Sequence, residues 1–489
     1  MLLVALATAA VLVFALSEDE RSGGGSVTAL RASSTPVEVT VAVDTSRPGR
    51  PVPRRFLGLS FEVGALAQIA RYGQHGNMPA LLRSLGPGLL RFGGISADTR
   101  TAWTDARDPK PAWASHVIGP ADLRRLRRLA QESGWPVLLT VGLAHYNPGL
   151  AAREVASAHA ILGRWLAGIE IGNEPDSYQR HGLRPAPWQF SQYSAQITAY
   201  RRAIDRLTPG IALAGPDVSG SKIFNDWGPK EVRAQRPAII TGHHYPLGCH
   251  TVPSPTIQTL LSGRIRAEER VSLARYMRVA RAGHVPLRVD EANSVSCGGV
   301  AGISDTFAAA LWATSYITTT MSAGAAGINL EGNPARCNGY SVVCAPTPAR
   351  LAAGDLQPQP EWYALLLTRA LVGDRPLATR ITAPASSNVT ATALLSAGGA
   401  MHAVLINDEP AGAAPAHVHI RLPAGLHSAR VVTMTAPSQG STEGAMLGGR
   451  SVAADGTWPG AVAAASAVRS GEVTVLVPES SAALVTISR

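Results

Sequence analysis

Short apolar runs alternate with amphipathic stretches over most of the chain. The runs have the length of buried strands, and the stretches between them space apolar residues three or four apart, as helices covering a sheet do. Eight strands are predicted, at residues 56–63, 89–94, 136–142, 169–174, 211–218, 239–245, 287–293 and 325–330. Helices are predicted between them, for example at 121–133, 189–207, 268–282 and 305–322. Because eight parallel strands close a barrel, the pattern predicts a (β/α)8 TIM barrel, an α/β fold.

The sequence pattern changes after residue 370, where short β-rich runs are separated by Gly, Pro and Ser. This is typical of an all-β sandwich. The runs lie at 402–406, 417–422, 430–435, 472–477 and 483–488, while 438–470 is predicted to be a long loop. Residues 37–43 alternate in the same way and are predicted to pair into this later sheet. The predicted parts are a leader and linker at 1–35, a sandwich strand at 36–55, the barrel at 56–370 and the sandwich at 371–489.

Residues 2–16 are almost wholly apolar. This length suits a signal-peptide core better than a membrane span of about 20 residues, so the chain is predicted to be secreted or extracytoplasmic. The acidic segment at 17–20 is a poor cleavage site, so an uncleaved anchor holding the protein at a membrane is the alternative. The Gly/Ser-containing stretch at 21–34 is predicted to be a flexible tether.

The composition permits a large core. The chain has 489 residues, of which 46% are hydrophobic and 16% charged, which argues against disorder. Its formal charge of +10 fits an affinity for acidic polymers, but an arginine excess from a G+C-rich genome explains the charge as well. No basic run is interleaved with aromatic residues, so nucleic-acid binding is not indicated. A monomer is predicted.

The predicted export decides how the four cysteines are interpreted. In an oxidising compartment cysteines form disulfides, and the predicted pairs are Cys337 with Cys344 in one loop and Cys249 with Cys297 just after two strands. The alternative is a metal site made from four neighbouring side chains. These are His243, His244, Cys249 and His250. Their spacing matches no known metal motif, so no metal site is predicted.

Two glutamates end predicted strands. Glu174, preceded by Asn173, ends the fourth strand, and Glu291 ends the seventh. The carboxyl ends of barrel strands meet at one mouth, so the two side chains are expected to face each other. Two facing carboxylates carry out glycoside hydrolysis, with Glu174 as general acid and Glu291 as nucleophile. A separation of about 5 Å would give a covalent intermediate and retention, and this mechanism needs no cofactor.

Each glutamate also has a structural interpretation. Glu174 is followed by a proline and an aspartate, which suits a carboxylate stabilised at a helix N-terminus. Glu291 would then be an acid paired with an arginine at a strand end. The occurrence of both at strands four and seven favours the catalytic interpretation.

Six motifs are FLGLSFE at 56–62, LRFGG at 90–94, GNEPD at 172–176, HHYP at 243–246, DEANS at 290–294 and CGG at 297–299. Together they resemble glycoside hydrolase family 79, the family of β-glucuronidases and heparanase. The resemblance runs from about residue 37 to residue 489. Because Asn-Glu-Pro is common to many retaining glycosidases, the Gly-Gly segment after the second glutamate is the more selective part. The resemblance implies a barrel with a flanking β-domain built from both ends of the chain.

The resemblance also implies roles for individual residues. Glu174 is implied to be the acid/base and Glu291 the nucleophile. Tyr245 would orient the nucleophile, Asn173 would bind the sugar 2-hydroxyl, and Glu62 would bind hydroxyls across the ring.

The carboxylate of a uronic acid would be bound at the Gly-Gly turn, with Gly298 and Tyr340 as candidates and Ser296 beside them. The implied substrate is terminal β-linked glucuronic acid in a glycan or a small glucuronide. An amide and a phenol can bind a carboxylate without an arginine.

Two residues depart from the family pattern. Ser296 stands where members often carry tyrosine, and Ile95 where a polar residue is usual. Both concern the uronate preference, so a retaining β-glycosidase for neutral sugars, such as a β-glucosidase or β-xylosidase, is the alternative. A non-catalytic glycan-binding wall protein is a third interpretation, which the presence of both glutamates disfavours.

The secondary residues have structural interpretations too. Tyr245 and Tyr340 can be packed aromatics, and Gly298 can belong to a turn that needs positive φ. Glu62 can pair with Arg91 in support of the barrel.

Overall fold

A computed structural model describes residues 35–105, 107, 109–423 and 425–489. Eight parallel strands form its central sheet, and they are numbered here as barrel strands 1 to 8. They are Leu57–Glu62, Leu89–Gly93, Val137–Val141, Leu166–Ile171, Ala214–Val218, Ile239–His244, Leu287–Ala292 and Gly327–Gly332. The sheet order is 4-3-2-1-8-7-6-5. A parallel bridge between Ile169 and Leu213 joins strands 4 and 5 and closes the ring, which confirms the predicted barrel.

Helices follow the barrel strands and cover their outer faces. They are Leu66–Arg71, Met78–Ser84, Ser96–Thr99, Pro120–Ser133, Pro148–Leu162, Phe190–Leu207, Ser221–Gln235, Ile257–Leu260, Gly263–Gly283, Phe307–Ala323, Pro348–Ala353 and Pro360–Thr368. Pro120–Ser133 shows why they form. It begins with proline, ends at Gly134 in the left-handed conformation (φ 79°), and buries Leu123, Leu126 and Leu129 on one face.

The helix Phe307–Ala323 is buried on nearly all sides. It packs against neighbouring barrel helices and against strands of the second domain. A helix enclosed in this way is mostly apolar, and this one is rich in Ala and aromatic residues, while buried hydroxyls such as those of Thr314 and Thr320 donate to carbonyl oxygens one turn earlier. It joins the barrel core to the β-domain.

The second domain is one curled sheet of eleven strands. They are Val37–Asp44, Arg375–Thr382, Val389–Leu395, Met401–Asn407, Ala416–Arg421, Ser428–Thr435, Met446–Leu447, Ala464–Ser466, Val468–Arg469, Glu472–Val477 and Ser481–Ser488. Val37–Asp44 lies in the middle of it, antiparallel to Arg375–Thr382 and parallel to Ala416–Arg421. The predicted pairing of the N-terminal strand is therefore confirmed.

The inward side chains of this sheet form a separate core. Val39 and Val41 are fully buried there with Val418, Ile420 and Val485. The alternation of these residues with polar ones places one face of each strand in the core and leaves the other in solvent.

The sequence prediction missed two of the strands. Arg375–Thr382 and Val389–Leu395 were not predicted, because much of the first is exposed and both carry Thr or Arg instead of a clear apolar alternation. Short strands, such as Ala464–Ser466, also interrupt the region predicted as one long loop.

The predicted signal segment and tether at 1–34 lie outside the described residues. Within the described part of the chain, no helix is long and apolar enough to cross a membrane.

Candidate active site

The backbone around the two glutamates is irregular. Glu174 follows barrel strand 4 with φ 45° and ψ 53°, and its amide donates to the carbonyl oxygen of Asp217 at 2.9 Å. A non-glycine residue in this left-handed region is strained and is held there by its surroundings. Glu291 lies in strand 7, where the register with strand 6 shifts between Val289 and Glu291. Such irregularities re-aim side chains, and here both carboxylates reach the barrel mouth.

The two carboxylates lie close together. One oxygen of Glu174, one oxygen of Glu291 and one ring nitrogen of His243 all lie within 4.8 Å of one another. The side chain of Glu174 is 21% exposed and that of Glu291 is 10% exposed, so both are partly accessible to solvent. A separation of at most 4.8 Å is close to the value of about 5–5.5 Å in retaining glycosidases and shorter than the roughly 6.5–9.5 Å of inverting ones.

Both oxygens of Glu291 are held. The Tyr245 hydroxyl donates to Oε1 at 2.8 Å, and Arg91 Nη1 donates to Oε2 at 2.8 Å. Burial and the charge of Glu291 raise the pKa of Tyr245 well above its ordinary value, so the phenol keeps its proton and remains a donor. The carboxylate is therefore held in one orientation by two donors.

Arg91 is completely buried in strand 2 and forms ion pairs with several acids at once. Its Nε donates to Glu170 at 2.8 Å and its Nη2 to Asp217 at 2.9 Å. Burial alone disfavours the charge, but Asp217 and Glu170 outweigh it and hold the Arg91 pKa well above its ordinary value. The sequence prediction missed this role. The ion pairs formed by Arg91 in the described chain are with these acids, Asp290 and Glu291, not with Glu62 as one interpretation had it.

His243 links the general-acid candidate to the same network. Its Nδ1 lies 2.9 Å from Glu174 Oε1, and its Nε2 lies 2.8 Å from Asp217 Oδ1. Burial opposes the charged ring, but Glu291 and Asp217 outweigh it and raise the pKa of His243 well above its ordinary value. The protonated ring donates a hydrogen bond to each carboxylate, which fixes the position of Glu174.

Two further acids inside the barrel have raised pKa values. Burial, together with the carboxylates of Glu170 and Asp217, raises the pKa of Asp290 well above its ordinary value. Burial and the neighbouring Glu291 do the same to Glu331. Crowding of acids in the barrel interior therefore opposes the ionisation of these two side chains.

Asn173 is positioned by its neighbours. Its amide N–H donates to Asp98 Oδ2 at 2.8 Å, and its side-chain oxygen accepts from Gly94 N and from Arg91 Nη2, both at 2.9 Å. Among the described residues, its side-chain NH₂ group has no acceptor. That donor is available for a sugar hydroxyl, and the contact expected of this residue stays a prediction.

Glu62 lies at the end of strand 1, and its Oε2 accepts from Ser96 N at 2.8 Å. Burial raises its pKa. Its binding to substrate hydroxyls stays a prediction.

The residues predicted for the uronate carboxylate are brought together by two loops. The Tyr340 ring stacks on Tyr245 at 5.7 Å, and their hydroxyl oxygens are 3.4 Å apart. Gly298 accepts from Tyr340 N at 3.2 Å through its carbonyl oxygen. Gly298 and Gly299 have φ of 89° and 84°, and a Cβ on Gly299 would collide with the backbone of Tyr340. Glycine is therefore required by the close approach of the loops as well as by the turn.

Ser296 begins the same turn, but its hydroxyl accepts from Cys249 N at 3.2 Å. The side chain thus supports the neighbouring loop. Its predicted contact with substrate has no support in these hydrogen bonds and stays a prediction.

Both predicted disulfides are present, between Cys249 and Cys297 and between Cys337 and Cys344. Cys249 therefore has no thiolate for the alternative metal site, and His244 instead lies 3.2 Å from Glu269. Each bridge fastens one of the loops that meet at Gly298.

The barrel, with paired glutamates at the ends of strands 4 and 7, defines the class of (β/α)8 glycoside hydrolases. Residues 391–484 match the glycosyl hydrolase family 79 C-terminal beta domain. The chain is 28% identical over 180 residues to a beta-glucuronidase of Aspergillus niger, a match covering 32% of each chain, about a third of the relative's length. Both matches cover only part of the chain, the first its C-terminal region and the second about a third of its length.

Solved structures show the same fold. A 4-O-alpha-L-rhamnosyl-beta-D-glucuronidase from Fusarium oxysporum has a TM-score of 0.73 at 18% identity, covering 91% of this chain and 100% of that one. A GH51 arabinofuranosidase from Xanthomonas axonopodis pv. citri has a TM-score of 0.64 at 14% identity, covering 92% and 100%. At these identities the likeness concerns the fold alone.

Proposed function

We propose that this protein is an exported retaining β-glucuronidase, which releases terminal β-linked glucuronic acid from a glycan or a small glucuronide. The observation that carries the proposal is the closeness of Glu174 and Glu291, within 4.8 Å. The match to the family 79 C-terminal domain and the name of the Aspergillus relative support the substrate class. The two disulfides support export, because such bonds persist in oxidising compartments.

The reaction has two steps. Glu291 attacks the anomeric carbon while Glu174 gives its proton to the glycosidic oxygen, so the aglycone leaves as an alcohol and a glycosyl ester forms on Glu291. Glu174, now a carboxylate, takes a proton from a water molecule that attacks the same carbon from the face the aglycone left. The ester bond breaks, Glu291 is regenerated, and the sugar keeps its β configuration.

The surrounding residues prepare each step. Arg91 and Tyr245 hold the two oxygens of Glu291, so the nucleophile needs little reorganisation before attack. His243 positions Glu174 through the bond to Oε1. The free NH₂ of Asn173 is suited to the sugar 2-hydroxyl, a contact that strengthens in the transition state of such enzymes.

A neutral-sugar β-glycosidase is the second candidate function. It is favoured by Ser296, a short side chain at a position expected to carry a tyrosine for the uronate, whose hydroxyl oxygen accepts from Cys249 N and so supports the neighbouring loop. In this case the two glutamates would act in the same way on a β-glucoside or β-xyloside.

The test compares p-nitrophenyl β-glucuronide with the matching β-glucoside and β-xyloside, using the chain from Thr35 onward and Glu291→Gln as the inactive control. Turnover of the glucuronide alone, lost in the variant, supports the proposal. Equal or better turnover of a neutral glycoside supports the second candidate. Proton NMR of the first-formed sugar reports the mechanism, and an α-configured product would overturn retention.

A further inference from the structure

An arginine lies against the turn at Gly298. A Cβ placed on Gly298 would come within 2.8 Å of Arg336 Nη1, and one placed on Gly339 would come within 3.6 Å of Nη2. The guanidinium group therefore lies over the place where the two loops meet. Arg336 is an exposed residue, and among the described residues its side chain has no ion-pair partner.

The turn beside Arg336 has hydrogen-bond donors without a protein acceptor among the described residues. In the described chain no protein acceptor is found for the amide N–H of Cys297 or of Gly298. The Tyr340 hydroxyl, a neighbour of Tyr245, lies on the side toward Glu291. An unpaired guanidinium, free backbone amides and a phenol are together suited to an anion with planar, bidentate geometry.

The disulfides hold this arrangement in place. Cys297 precedes Gly298 and is tied to Cys249 in the loop after strand 6. Cys337 follows Arg336 and is tied to Cys344. The cation is thus attached to a fastened loop, which reduces the entropy lost when a ligand binds.

We propose that Arg336 is a specificity-determining residue that pairs with the carboxylate of the glucuronic acid substrate, beside the Gly298 amide and the Tyr340 hydroxyl. The inference rests on the proposed function and deepens it. It differs from the expectation that an amide and a phenol bind the uronate without an arginine. The pair lies near solvent, so the attraction is screened by salt and distinguishes charged from neutral sugars without changing the chemistry at Glu291.

The experiment measures kcat/KM for p-nitrophenyl β-glucuronide and β-glucoside in the wild type, Arg336→Gln, Arg336→Lys and the control Arg350→Gln. Arg350 follows the same barrel strand but is paired with Asp355. Loss of a charge-assisted bond predicts a fall of roughly 10- to 100-fold in the glucuronide-to-glucoside ratio for Arg336→Gln, mostly through KM. Arg336→Lys is expected to keep part of the preference, and Arg350→Gln all of it.

The dependence of KM on salt concentration is a second measurement, and a merely structural role of Arg336 would not affect it. Raising ionic strength is expected to increase the wild-type KM for the glucuronide and to leave that of Arg336→Gln almost unchanged. A selective wild type with an unaltered ratio in Arg336→Gln would overturn the inference while keeping the proposed function. A wild type that prefers the glucoside would overturn the proposed function itself. Unchanged glucoside turnover shows that each variant is folded.

Discussion

Arg91 Nη1 lies 2.8 Å from Glu291 Oε2, so the candidate nucleophile shares its counter-ion with acids deeper in the barrel. The same guanidinium contacts Glu170 and Asp217, and Nε lies 3.3 Å from Asp290. Reactivity at the mouth and stability of the interior therefore depend on one buried cation.

Replacing Arg91 by methionine should destabilise the fold strongly. It leaves Glu170 buried without its counter-ion and Asp217 with His243 alone, which costs about 3–5 kcal/mol of unfolding free energy. Chemical denaturation measures the loss. The control is Arg264→Met, because the Arg264–Glu268 pair is exposed and should contribute less than about 1 kcal/mol. Similar losses in both variants would contradict the central role of Arg91.

Glu174 and Glu291 can be distinguished by rescue with azide. In Glu174→Ala the glycosyl intermediate still forms from an aryl glycoside with a good leaving group, and azide then attacks it to give a β-glycosyl azide. In Glu291→Ala azide replaces the nucleophile and gives the α-azide. Without azide, hydrolysis by Glu174→Ala should fall by roughly 10²–10⁴-fold. Product NMR decides the assignment, and exchanged anomers would reverse the two roles.

Much of the site followed from the positions of strand ends. An apolar run that stops at an acid predicts both the strand and the exposed acid, and this placed Glu174 and Glu291 correctly at strands 4 and 7. Alternation likewise predicted the N-terminal strand of the β-domain, because a half-buried strand repeats every two residues.

The sequence prediction missed the network of Arg91 and its acids, although the sequence contains an indication of it. Arg91 and Glu170 each lie in a short apolar run that forms a strand, and each occupies a fully buried position of that strand. A charge in such a run has to find a partner, but sequence does not tell which strands face each other across the barrel. Only the closed ring brings Arg91 to Glu291. The position of Arg336 similarly depends on the packing of two loops.

Stability should fall as the pH rises, and Glu231 offers a test. Burial raises its pKa from 4.5 to about 8. Between these values the unfolded chain releases a proton that the folded protein keeps, so rising pH favours unfolding. Glu231→Gln removes this contribution and should stabilise the protein at pH 8 relative to pH 5, by roughly 1–3 kcal/mol.

Denaturation curves at both pH values measure this difference. Glu268→Gln, on the exposed side of the helix Gly263–Gly283, is the matched control and should leave the pH dependence as it is. An unchanged slope in Glu231→Gln would show that this acid is already ionised in the folded protein.

The two disulfides should differ in their effect on stability. Cys249 and Cys297 are 48 residues apart, whereas Cys337 and Cys344 are 7 apart. Because a longer loop restricts the unfolded chain more, replacing the first pair by alanine should cost about 1.5 kcal/mol more than replacing the second. Thermal unfolding of the two double variants gives the comparison. A larger loss from the short bridge would mean that native packing of the Tyr340 loop outweighs chain entropy.

The strand Val37–Asp44 lies between Arg375–Thr382 and Ala416–Arg421. The β-domain therefore cannot complete its sheet until the whole barrel has been synthesised, since its central strand and its neighbours come from opposite ends of the polypeptide. Such distant pairing slows folding, and until the two flanking strands have been synthesised the N-terminal strand presents open edges on which another chain can add. The order of synthesis thus sets a period in which aggregation is the main hazard. Deletion of this one strand would leave the two flanking strands with open edges permanently.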